Sequence, residues 1–198
     1  MIVCRISWAL SLFKVYLLAV MAGGYPYDDF PKCNMNGGFS NQHNSQVSIE
    51  SSYYVNENWP TESKILWSGF ELGVDMITGG QEFQQCDVAT SQNPVVVAMI
   101  KYMGSPNIGR RSWDPLTTLI AVRGAMAGGC SECSDCHGRN YVDPNSGFNM
   151  WIFGKQSNQT YLVLQDNKVA EDAINNLLCQ GPLFGSIPEP LLEGKHEL

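Results

Sequence analysis

The sequence predicts an α/β domain: a mainly parallel sheet with flanking helices. Two apolar runs carry the prediction. Val15 to Met21 runs into Gly23-Gly24, and Ile65-Leu66-Trp67 runs into Ser68-Gly69. Continuous β-branched and Leu-rich runs closed by glycine are how strands buried on both faces read. The third observation is alternation. Strand-like runs are separated by helix-like segments, as a parallel sheet with crossovers requires.

The elements follow in order. After Gly24 comes a turn-rich loop, Tyr25 to Asn44, with Pro26, Pro31 and Asn36-Gly37-Gly38. Loops this long are often functional. Val47 to Trp59 predicts an amphipathic helix that Pro60 stops. Pro94 suits the first turn of a helix through Val95–Tyr102. Gly104 to Arg111 reads as a loop. Ser112 is placed to cap a helix over Leu116–Val122, with Asp114 in its first turn, where the helix dipole favours a carboxylate. Arg139–Val142 and Asn149–Phe153 predict a hairpin around Asp143-Pro144-Asn145-Ser146-Gly147. Tyr161–Leu164 is a further short strand, and Lys168–Cys179 a closing helix. The domain therefore spans 1–180, and the Pro-rich tail 181–198 is loosely held.

Composition narrows the function. The 198 residues carry 12 Lys and Arg against 19 Asp and Glu, a net charge of −7. That balance argues against a nucleic-acid binder working through a basic face. Apolar residues make up 44% and charged ones 16%, which excludes a disordered chain.

Seven cysteines leave at least one outside any intramolecular pair. The Asn158-Gln159-Thr160 sequon and the Lys195-His196-Glu197-Leu198 end, one residue from a retention address, lean toward the secretory pathway or the ER lumen. Residues 8–22 read either as a signal h-region behind Arg5 or as a core strand. Lys14 interrupts the run and leaves no membrane span of about 18 apolar residues.

Four blocks together resemble the inosine/uridine-preferring nucleoside hydrolase family. They are Val15 to Gly24, ending in Met21-Ala22-Gly23-Gly24; Asn58-Trp59-Pro60 with Leu66 to Gly73; Arg111-Ser112-Trp113-Asp114-Pro115 through Gly124; and Val142 to Gly147 with Asn149-Met150-Trp151 and Tyr161–Leu164. The resemblance runs from Phe13 to Cys179 and covers only the family's carboxyl-terminal part, so it implies an incomplete nucleoside-hydrolase-like domain. The family's Asp-rich motif, D-x-D-x-x-x-D-D, has no counterpart here; Asp28-Asp29 is a lone pair.

The resemblance implies hydrolysis of the N-glycosidic bond of ribonucleosides. That reaction needs an activated water, a stabilised oxocarbenium-like ribosyl group and an activated leaving base. In the family a calcium ion, held by Asp carboxylates, serves the first need, and calcium takes six to eight oxygens.

Asp114 matches a calcium-ligating Asp; its plain alternative is a helix-start carboxylate. Trp113 stands where many members carry a proton-donating His. It cannot donate that proton, and either stacks on a base or packs. Met21 matches a methionine lining the ribose pocket, or fills core. Asn34 resembles a ribose-binding Asn, with Asn36 as the alternative counterpart and a turn Asn as the plain reading. Lys32 stands where that segment carries a Glu. With one carboxylate, the chain is expected to be inactive alone and not to hold calcium. The rival expectation is a catalytically dead binding module of the secretory pathway.

Cys130-x-x-Cys133-x-x-Cys136-His137 leaves disulfide pairing in a loop, a zinc site, free thiols or haem attachment open. Disulfide pairing is the reading favoured here. A sheet without its early strands also predicts an exposed apolar edge, hence a homo-oligomer, aggregation or marginal stability.

Overall fold

The computed structural model describes residues 15–27, 34–35, 42–86, 93–155 and 157–180. Lys14, Asp28-Asp29, Lys32, Asn36 and the tail lie outside the described residues.

The fold is α/β. β1 (Leu17–Met21) leads through α1 (Gln42–Asn58) to β2 (Lys64–Ser68), and the two strands pair in parallel, Met21 opposite Ser68. β8 (Gln159–Leu164) joins β2 in parallel, and β5 (Cys130–Glu132) joins β8 antiparallel. The four-stranded order is β1-β2-β8-β5. β3 (Ile77–Gly79) and β4 (Gly109–Arg111) form a small antiparallel pair, and β6 (Gly138–Val142) and β7 (Asn149–Phe153) form the hairpin.

Period-two alternation on β2 and β8 builds two cores. Ile65, Trp67 and Tyr161 face one way and pack with Val142, Trp151 and Tyr25 of the hairpin side. Leu66 and Leu162 face the other way and pack with Leu116, Leu119 and Ile120 of α4 (Trp113–Arg123) and Ala170 and Ile174 of α5 (Asn167–Cys179). Each such buried aliphatic side chain contributes about 1.5–3 kcal/mol. α2 (Phe70–Gly73) is a single turn after β2. α3 (Pro94–Met103) begins at Asn93, whose side chain accepts from the Val95 and Val96 amides and donates to the Leu178 carbonyl at 2.6 Å. Cys86–Cys179 ties the end of α5 across 93 residues. Closing so long a loop is worth about 4–5 kcal/mol in the chain-entropy account.

Several expectations are corrected. β1 is not buried on both faces. It is an edge strand among the described residues, with Tyr16 before it 75% exposed and Leu17 37% exposed. Arg111 and Gly109 lie in β4 rather than in a loop. Ser112 stands at the N-cap of α4 but makes no cap bond; its hydroxyl meets Thr78 Oγ1 instead. Cys130 is not in a disulfide loop. It sits on β5, 3% exposed in the helix-side core, as a free thiol, while Cys133 and Cys136 are bonded to each other. No helix among the described residues is long and apolar enough to cross a membrane.

Candidate functional site

The carboxyl ends of parallel strands are where open α/β sheets bind ligands, and Met21 and Ser68 end β1 and β2 there. Past Met21 the chain turns at Gly23, whose φ of +75° favours glycine. A Cβ there would lie 2.6 Å from Asn149 Oδ1. Two backbone bonds lock this turn to the end of β2: the Ala22 amide donates to Ser68 O at 3.1 Å, and the Phe70 amide to Gly23 O at 2.7 Å.

Asn34 closes on the same turn. Its Nδ2 donates to Met21 O at 2.8 Å and lies 3.0 Å from Met21 Sδ. Asn34 has φ 73°, the left-handed conformation that Asn tolerates best after glycine. Its geometry thus satisfies the turn-residue reading while bringing it onto Met21.

Trp113 stacks on Phe70 with ring centroids 5.3 Å apart, and its Nε1 donates to Phe70 O at 2.8 Å. The indole lies against Gly73, where a Cβ would meet Trp113 Cδ1 at 2.5 Å. Arg111 reaches the same ring at 6.0 Å. The only N–H of the indole is therefore committed to the backbone. Trp113 is a half-buried aromatic wall and has no donor to offer a leaving group. Asp114 follows it in the first turn of α4 and is exposed.

Met21, Asn34 and Trp113 thus gather at one sheet edge. Met21 touches Asn34 directly, and it reaches Trp113 through Gly23 and Phe70. The residues that hold the turn from behind were not singled out from sequence. Asn149 accepts the Gly24 amide at 3.0 Å and donates to the Gly24 carbonyl at 3.1 Å. Its amide also reaches Asn140 Oδ1 at 3.1 Å, and Asn140 Nδ2 continues to Asn56 Oδ1 at 3.1 Å. All three amides are buried, at 1%, 0% and 4% exposure. Glu71 Oε2 accepts the Tyr25 amide at 3.3 Å. Burial, and next the Glu71 charge, hold the Tyr25 phenol well above its ordinary range. Glu71 and Asn149 lie within the resembling blocks, which is the only signal the sequence carries for them.

Among the described residues, no group of three or more His, Cys, Asp or Glu side chains is placed to hold a metal ion. Asp114 alone does not make the six- to eight-oxygen shell calcium takes.

A hollow of about 290 Å³ lies at the opposite end of the sheet, where β2 and β8 begin. Lys64, Gln159, Cys133 and Cys136 border it. No family model matches the chain, and a search of curated proteins gives no match.

Proposed function

We propose that this chain carries the ribose- and base-facing wall of a nucleoside N-ribohydrolase site of the inosine/uridine-preferring kind. The observation that supports it is the gathering of Met21, Asn34, Phe70 and Trp113 at the carboxyl ends of β1 and β2. Ligands of open α/β sheets sit there. The Trp113–Phe70 stack offers an aromatic face for a base, since every base has a π-face. The Met21–Asn34 turn lies beside it for the sugar. Asp114 supplies negative charge at this edge, which favours a positively charged oxocarbenium-like ribosyl group. Leaving-group protonation does not come from Trp113. Water activation needs carboxylates in addition to Asp114, so no cleavage is assigned to this wall alone.

The test is titration of the full chain with inosine or uridine, with and without calcium, alongside a free-ribose assay. Saturable binding that Trp113→Ala weakens supports the site. Nucleoside cleavage by the chain alone contradicts the requirement for further carboxylates.

A second reading is a non-catalytic binding module of the secretory pathway. The Cys86–Cys179 disulfide favours it, because such bonds persist in oxidising compartments. Binding without cleavage under any calcium condition supports this reading.

A further inference from the structure

We propose that the Cys133–Cys136 disulfide is a thiol–disulfide exchange site whose reductant is a small peptide thiol of the glutathione type, seated in the hollow at the amino ends of β2 and β8. This site lies at the sheet edge opposite Met21 and Trp113, and is independent of the nucleoside wall.

Four observations carry it. Both cysteines border a hollow of about 290 Å³, near the lower limit for small-molecule sites. Neither residue is buried: both are intermediate in exposure. The turn is held by bonds other than the disulfide. The Cys133 amide donates to Tyr161 O at 2.9 Å, and Trp151 Nε1 donates to the Cys136 carbonyl at 3.1 Å. Opening the S–S bond therefore leaves the two thiols side by side, ready to close again.

The charges and donors are also asymmetric. Lys64 Nζ holds both Glu132 oxygens at 2.5 and 2.6 Å, which offsets the carboxylate one residue before Cys133. The Tyr161 hydroxyl lies 3.2 Å from Cys136 Sγ, where its O–H donates to a developing thiolate. Burial, and next the Glu71 charge, raise the Tyr161 pKa, which keeps that proton in place. Asp135, one residue before Cys136, opposes a thiolate there, and the Tyr161 donor acts in the other direction. Carbonyl oxygens lie near the sulfurs of both disulfides, that of Ser134 at 3.2 Å from Cys136 Sγ and 3.6 Å from Cys133 Sγ and that of Glu82 at 3.9 Å from Cys179 Sγ, so the Tyr161 hydroxyl is what sets Cys136 apart. Cys136 is therefore the leaving sulfur and Cys133 the one attacked, because exchange is fastest when the departing thiolate is stabilised.

The chemistry balances. A peptide thiolate attacks Cys133 Sγ and forms a mixed disulfide as the Cys133–Cys136 bond breaks. The electron pair leaves on Cys136 Sγ, which takes up a proton equal to the one the thiol lost. A second peptide thiol attacks the peptide sulfur of the mixed disulfide and frees Cys133 as a thiol. Two peptide thiols become one peptide disulfide, and the protein disulfide becomes two thiols.

The test uses the full oxidised chain in a series of reduced-to-oxidised glutathione ratios, quenched with acid, alkylated and mapped by peptide mass spectrometry. Cys133–Cys136 is expected to open at least about tenfold faster than Cys86–Cys179. Cys136→Ser should trap glutathione on Cys133 more than Cys133→Ser traps it on Cys136. Tyr161→Phe should slow opening of this pair several-fold and leave Cys86–Cys179 unchanged. Both disulfides opening at one rate overturns the proposal, as does Cys133–Cys136 opening last. Zinc held by a reduced pair in the purified chain also overturns it. The native-chain titration needs no variant, so misfolding of a mutant does not blunt the result.

Discussion

Asn149 grips Gly24 with both ends of its side-chain amide: Oδ1 accepts from the Gly24 amide and Nδ2 donates to its carbonyl. This pairing, 125 residues apart in sequence, fixes the turn that carries Met21 to the hairpin across the sheet. A buried amide with all its partners in place is stabilising, and one with a partner removed is costly.

Asn149→Ala removes that grip and leaves the Gly24 groups and Asn140 Oδ1 short of partners. A loss of about 2–4 kcal/mol is expected in urea unfolding. Amide exchange at Gly24 should accelerate more than exchange in α5. A loss below about 0.5 kcal/mol contradicts the network's role.

Tyr25→Phe should go the other way. Tyr25 is 7% exposed and stacks on Tyr161 at 5.4 Å, yet its hydroxyl has no hydrogen-bond partner among the described residues. Removing an unsatisfied buried hydroxyl keeps the packing and lifts a desolvation cost. Stability should hold or rise by about 1 kcal/mol, read as an increased unfolding midpoint.

Cys130 gives the fold an alkaline limit. Burial raises its thiol pKa to about 11. A group whose folded pKa exceeds its unfolded one contributes stability that is complete below the unfolded pKa. That contribution is lost as pH rises through the folded pKa. Unfolding free energy should therefore decline from about pH 9 toward pH 11, and Cys130→Ala should remove this part of the decline. Cys130 should also resist alkylation near neutral pH in the native chain.

Trp113→Phe and Trp113→Ala separate packing from recognition. Phe keeps the stack on Phe70 and loses the bond from Nε1 to Phe70 O, for a stability cost of about 1 kcal/mol. Nucleoside affinity should then change by less than about threefold. Ala removes the aromatic face, and affinity should fall by about tenfold or more.

Strong local signals made part of this fold legible in sequence. β2, the β6–β7 hairpin, α3 and α5 are announced by an apolar run, an Asp-led turn, a first-turn Pro and a one-sided apolar face. Asp143 holds its turn as that sequence suggests, accepting from Asn145 N and Ser146 N at 3.0 and 2.8 Å. β3 and β4 have no local signal, because each is three residues long and pairs across a distant stretch. β5 was hidden in a Cys-rich segment that reads as a loop. α1 starts at Gln42, before its first apolar residue, so periodicity placed its beginning late. Ser112 carries the right residue type for a cap, but Thr78 draws its hydroxyl elsewhere.

At the site, resemblance pointed to Met21, Asn34, Trp113 and Asp114. Nothing local in the sequence announces the Asn56–Asn140–Asn149 chain, because buried amides have no period and their partners are tertiary.

The most direct measurement is calorimetric titration of the full chain with inosine and uridine in the presence of calcium, repeated on Met21→Ala and Trp113→Ala. A ribonucleoside wall at the carboxyl edge of β1 and β2 requires saturable binding that both substitutions weaken while the fold persists by circular dichroism. Absence of heat at millimolar nucleoside, or binding indifferent to both substitutions, contradicts it.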